Sequence, residues 1–133
     1  MSIARILSEL AVQTPDAALP DSNREAAVKM LLDTCGCAYC GMSAPGISEL
    51  IGLETELAAM GPGSVFFSDD KLCLPSAVYC NAAMMHALDF DNNYPGADIH
   101  ILAMVVPIAL ACGEAFGANG RSCVSSIILG VET

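Results

Sequence analysis

Between Asn81 and His100 the chain gathers both of its histidines, His86 and His100, and three carboxylates, Asp89, Asp91 and Asp98. Such groups can move protons, hold a metal or tie down backbone. A histidine beside a carboxylate is oriented and tuned for proton transfer near neutral pH. Two His and two Asp can ligate Zn, Fe or Mn. A carboxylate just past a helix can cap a turn, and a His can satisfy loop carbonyls. Spacing alone leaves these three readings open. His86 and Asp89 are three apart and would share a face on a helix, with Asp91 past the helix end and His100 closing the loop.

The elements that position this stretch read as helices. A small-residue pattern runs from Ser76 to about Leu88, with Pro75 suited to a first turn, and Ala77, Cys80, Ala83, Met84 and Ala87 keep it thin. A polar loop with Pro95 and Gly96 covers Asp89 to His100. An apolar pattern follows from Ile101 to Phe116, with Pro107 expected to kink it or delay its start.

Upstream, Ile3, Ile6, Leu7 and Leu10 fall on one face of a helix over Ser2 to Val12, broken by Pro15 and Pro20. Asp21 or Ser22 can cap a second helix, with Glu25 placed for a capping box. That helix is apolar nearly all round from Leu31 to Cys40, and Gly36 and Gly41 would let a neighbour approach or end it. Ile47 to Met60 reads as a third helix, stopped by Gly61-Pro62-Gly63. Val65 to Phe67 and Leu72 resemble two short extended pieces, a small hairpin near 64–73. A turn at Gly117 to Gly120 precedes a last helix from Ser122 to Val131. The expectation is an all-α bundle of about six helices with that one hairpin.

The chain has 133 residues, 54% hydrophobic and 15% charged, with a net charge of −10. One domain fits that length. Five Lys and Arg against fifteen Asp and Glu argue against nucleic acid and against anionic membrane surfaces. The start of the chain lacks the apolar core of a signal peptide, and the run Ile101 to Cys112 is too short for a bilayer span. A soluble, cytoplasmic protein is expected. Of the seven cysteines, Cys35, Cys37 and Cys40 form C-x-C-x2-C. No second cluster or flanking His completes a metal site there, so reduced core thiols are expected. A chain this apolar and this short is expected to cover surface against other protein and to be marginally stable alone. Glu114 reads as a partly exposed or capped carboxylate and Tyr94 as a half-buried loop aromatic.

Asn81 to Asn92, which includes His-Ala-Leu-Asp-Phe-Asp at residues 86–91, resembles the N-G-x-x-x-H-x-L-D-F-D-D segment of the MmgE/PrpD family. That family includes 2-methylcitrate dehydratase, cis-aconitate decarboxylase and iminodisuccinate epimerase. Leu32 to Ala38 is similar to its L-D-x-x-G-c-a helix, and His100 to Pro107 to its H-P-S-x-x-V-x-P in frame. Glu114, Gly117, Gly120 and Gly130-Val131-Glu132 extend the likeness over nearly the whole chain. The resemblance implies a large all-α domain, of which residues 1–133 are an N-terminal part without the smaller lid domain. It implies a homodimer, or packing against the remainder of the enzyme. It implies cofactor-free, metal-free lyase chemistry on small polycarboxylates, with 2-methylcitrate dehydration as the default and decarboxylation or epimerisation of a related acid as the alternative.

Carried over residue by residue, the resemblance puts Asp89 and His100 in the catalytic site and His86, Asp91 and Asn93 around the substrate. Ala82 stands for the family's Gly, Asn92 for its second Asp, and Ile101-Leu102 for its Pro-Ser. No Lys or Arg lies between Lys71 and Arg121, and a desolvated tricarboxylate needs cations. Alone, the chain is therefore expected to be inactive. The non-catalytic alternative is a truncated helical subunit that packs on a partner.

Overall fold

A computed structural model describes residues 2–133. The order is α1 (Ile3–Gln13), a 3₁₀ turn (Asp16–Ala18), α2 (Asp21–Gly41), α3 (Ile47–Leu57), β1 (Met60–Ser64), β2 (Lys71–Leu72), α4 (Leu74–His86), α5 (Leu102–Phe116) and α6 (Gly120–Glu132). The six helices and the two-stranded hairpin follow the sequence reading. None of the helices is long and apolar enough to cross a membrane among the described residues.

α4 is the central rod, packed between α2 and α5, with α6 against α5 and α2. Ala77, Cys80, Met84 and Met85 of α4 are buried with Ala38, Val106 and Ile127 from its neighbours. Small side chains bring the backbones together. A Cβ added at Gly41 of α2 would fall 2.0 Å from the Met84 carbonyl oxygen, whereas one at Gly36 would meet nothing within 4 Å. The close approach is thus made at Gly41. α1 lies outermost and buries no residue.

Several boundaries differ from the sequence reading for local reasons. α2 is not capped by Asp21 or Ser22. Pro20, fixed at φ −61°, takes the cap position with no side-chain bond, and its carbonyl accepts from the Asn23 and Arg24 N–H groups. Asp21 then falls in the first turn, where its charge suits the helix dipole. α3 stops at Leu57, and Gly61-Pro62-Gly63 is not a helix terminator but the middle of β1. Gly61 and Gly63 would each drive a Cβ to within 2.8 Å of a neighbour, so only bare backbone lets β1 lie against Leu72 and Cys73. The strand bulges between Met60 and Gly63, both opposite Leu72. Val65 leaves the ladder and is buried instead. α4 ends at His86, two residues before Leu88, so His86 and Asp89 do not share a helical face. α6 begins at Gly120, capped by the Asn119 side chain, which accepts from Ser122 N–H. Pro107 is accommodated inside α5.

Two ionic ties hold the periphery. Asp16 pairs with Arg24 of α2 at 2.9 Å and with Arg121 of α6 at 2.5 Å. Arg24 also donates to Ser125 of α6 at 3.0 Å. The Ser125 hydroxyl, then the Arg121 guanidinium, hold the Asp16 carboxyl well below the usual range. Glu114 of α5 accepts from Ser64 N–H at 2.9 Å and Ser64 Oγ at 2.7 Å and pairs with Lys71. This fastens both strands of the hairpin to α5. The Lys71 ammonium, with the Ser64 hydroxyl and N–H, lowers the Glu114 carboxyl to about 2.

Gly41→Ala destabilises the fold by about 2 kcal/mol or more, because the added methyl must push α4 away. Gly36→Ala is neutral or stabilising by up to about 1 kcal/mol, from helix propensity. Urea unfolding of the two variants checks the opposite signs. The Glu114 tie stabilises the fold above the unfolded carboxyl's ordinary 4.5 and is lost as pH falls toward about 2, since only the unfolded state takes up the proton in that window. Lys71→Met therefore flattens the dependence of the urea midpoint on pH across that window. At neutral pH it costs at most about 1 kcal/mol, because both groups are substantially exposed.

Candidate functional site

The site lies where α4 ends and α5 begins. His86 is the last residue of α4 and Ala87 its cap. The chain then turns sharply: Asp89 adopts φ +55° and its N–H donates to the His86 carbonyl at 3.1 Å. Asp is one of the few residues that tolerate this left-handed conformation. The following loop closes on itself. Tyr94 N–H donates to Ile99 O at 2.9 Å, Asp98 N–H to Tyr94 O at 2.9 Å, and the Asn93 amide to the Asp98 carboxylate at 2.9 Å. Asp98, also left-handed at φ +51°, makes the second reversal. This strap returns His100 to the side of His86, with ring centroids 4.7 Å apart and planes tilted by 58°.

Asp91 sits between the two rings. His86 Nδ1 is 3.0 Å from Asp91 Oδ1 and 3.3 Å from Oδ2. His100 Nδ1 is 3.2 Å from Asp91 Oδ2 and 3.2 Å from the Asp91 carbonyl oxygen. The Asp91 side chain is 0% exposed, while that of Asp89 is 79% exposed and reaches His100 Nε2 at 3.5 Å. Thus Asp89 and His100 meet, as one shared site requires, and His86 joins them. Asp91 lies behind the rings with its side chain buried. Asn93 ties the loop to Asp98 and does not line the groove beside the site.

That groove is open, about 410 Å³, and largely apolar. His86, His100 and Asp98 supply its ionisable edge, and Tyr79, Ala83 and Met104 part of its apolar wall. Its volume is in the range of small-molecule sites. One donor atom from each of His86, Asp89, Asp91 and His100 lies within 4.8 Å of the others, close enough for these groups to surround a divalent cation. With ring–carboxylate contacts of 3.0–3.3 Å they also serve one another as hydrogen-bond partners.

The C-x-C-x2-C cysteines do not converge. Cys35 and Cys37, two apart on α2, face different ways. Burial pushes the Cys37 thiol up, and the Asp33 and Asp91 carboxylates add to it. Burial pushes Cys35 up as well, so both favour the neutral thiol.

Two residues with structural consequences were not singled out by sequence reasoning. Asn81 is buried, its amide oxygen accepting from Phe66 N–H at 2.8 Å and its nitrogen donating to Ser64 O at 2.9 Å. It pins the hairpin to α4. Arg24, tying α2 to the 3₁₀ turn and α6, is the other. The invitation in the sequence was a polar side chain on an otherwise small and apolar helix for Asn81. Arg24 gave no such signal, because its partners are distant in sequence.

Comparison with curated proteins and with solved structures gives no match. A family model described as MmgE/PrpD N-terminal domain matches residues 5–133, nearly the whole chain. The helical architecture, the hairpin and that match agree, and the chain belongs to the MmgE/PrpD family, whose N-terminal domain it carries.

Proposed function

We propose that the chain supplies the proton-transfer half of a cofactor-independent lyase acting on a small polycarboxylate, with 2-methylcitrate dehydration as the first activity to test. The observation that carries this reading is the meeting of His100 with Asp89 and Asp91 at the edge of an open groove. In that reaction His100 takes the proton from the carbon next to a carboxylate, and a protonated group assists departure of the hydroxide. Asp89, exposed and within 3.5 Å of His100 Nε2, orients the substrate or the ring. His86 shapes the groove with His100. Decarboxylation or epimerisation of a related acid would draw on the same centre, since each passes through a carbanion-like or enediolate-like species.

The groove is acidic where a polycarboxylate needs positive charge. Lys71 is committed to Glu114 and Arg121 to Asp16. The anion-binding cations therefore come from protein outside these residues, either a further part of the enzyme or a second copy. Exposed Tyr79, Ile99 and Met104 along the groove support burial of this side against such protein. The same features favour a second reading, a helical subunit that packs on a partner without turnover.

The test follows the product double bond by ultraviolet absorbance, using 2-methylcitrate and the product of the whole reading frame that encodes these residues. His100→Ala is expected to lower kcat/KM by about 10²-fold or more, the usual worth of a positioned acid or base. Asp89→Ala is expected to lower it at least about 10-fold. An active parent whose two variants both keep full activity overturns the site assignment, and a parent inert toward all three classes of reaction favours the packing subunit.

A further inference from the structure

The reading of the site as an acid–base centre leaves open why a carboxylate should be buried behind it. Asp91 and its neighbour Phe90 reverse the usual order. The Asp91 side chain is fully buried while Phe90 is 74% exposed. Hydrophobic burial alone would turn this segment the other way, since an unpaired buried carboxylate is strongly disfavoured. Something holds the acid inside, and the side chains within hydrogen-bond reach of its carboxylate are the two imidazoles.

The tautomers follow from the atoms each ring nitrogen faces. His86 Nδ1 faces only the two carboxylate oxygens of Asp91, at 3.0 and 3.3 Å. His100 Nδ1 faces an Asp91 carboxylate oxygen and the Asp91 carbonyl oxygen, both at 3.2 Å. An ionised carboxylate and a carbonyl only accept. A lone pair on either Nδ1 would point at oxygen lone pairs. Each Nδ1 must therefore carry the hydrogen and donate it, which leaves each Nε2 as the nitrogen that can exchange a proton elsewhere. For His100 that Nε2 is the atom beside Asp89.

We infer that Asp91 is the positioning residue of the site: one buried carboxylate accepts from the Nδ1–H of both His86 and His100, fixing both rings so that Nε2 of each is the working nitrogen. The inference rests on the proposed acid–base reading for its catalytic consequence and on geometry for the tautomers. It also makes the two histidines a coupled pair, since both lean on one anchor. The anchor is unequal. Without the carboxylate, His100 Nδ1–H keeps the Asp91 backbone carbonyl, whereas His86 Nδ1–H keeps nothing.

The chain has only two histidines, so nitrogen-15 spectra of the imidazoles resolve both rings, assigned with His86→Gln and His100→Gln. They are recorded at about pH 9, where an ordinary imidazole is neutral. In the wild type both rings are expected in the Nδ1–H form. A predominantly Nε2–H ring at either position overturns the inference. In Asp91→Ala, which removes the side-chain acceptor altogether, His86 shifts toward the Nε2–H form that free side chains prefer, and His100 shifts less. No change at His86 also overturns it. If Asp91→Ala does not fold by circular dichroism, the wild-type spectra decide alone. Where the parent enzyme turns over, Asp91→Asn lowers kcat by about 10²- to 10⁴-fold, the scale of losing an imidazole's orienting carboxylate. Its KM stays within about threefold, as expected of a group that does not touch substrate. A parent with no activity removes the proposed function but leaves the tautomer result standing, so the two failures are distinguishable.

Discussion

The burial of one carboxylate between two imidazoles is the constraint around which the region between α4 and α5 is arranged. Asp91 can lie inside only because His86 and His100 both reach it through Nδ1. That in turn requires α4 to stop at His86, the backbone to reverse at Asp89, and the strap from Tyr94 to Ile99 to return the chain. Removing either ring would leave a buried charge with one partner fewer, which is costly. The exposed Phe90 beside it shows that apolar burial does not set the local fold.

The distribution of positive charge complements this arrangement. The chain has five basic residues, and three of them are spent on structure: Arg24 and Arg121 on Asp16, Lys71 on Glu114. These ties join the beginning of the chain to α6 and the hairpin to α5. The site is left with carboxylates and imidazoles alone. A centre built this way can accept and return protons, and its carboxylates give it a negative field.

Close packing of α4 fixes the helix end on which the site is built. Gly41 brings α2 onto the Met84 carbonyl, and Met84, Met85 and Cys80 fill the space around it. The last turn of α4, which carries His86, is therefore held on the side of Met84 and Met85. A pair of rings 4.7 Å apart needs a rigid support of this kind, because a small shift would break the shared contact to Asp91. The groove between α5 and α6, lined by Ile108, Cys112 and Phe116, remains open on the outer side.

Local patterning determined the helices, since apolar spacing, the prolines and the small-residue run over α4 act within a few residues of each other. It also brought His86, Asp89, Asp91 and His100 into one short stretch, and with the flanking motifs it identified the family. What local patterning could not hold was direction. Asp89 and Asp91 are two residues apart and chemically identical, and only the left-handed turn and the returning strap send one outward and the other inward. Nor could it show that Gly61-Pro62-Gly63 pairs with Leu72 rather than ending a helix, or that Glu114 reaches Ser64 and Lys71 across the hairpin. Those outcomes depend on which backbones come within contact distance, and a side chain's partner is fixed only once distant segments are packed.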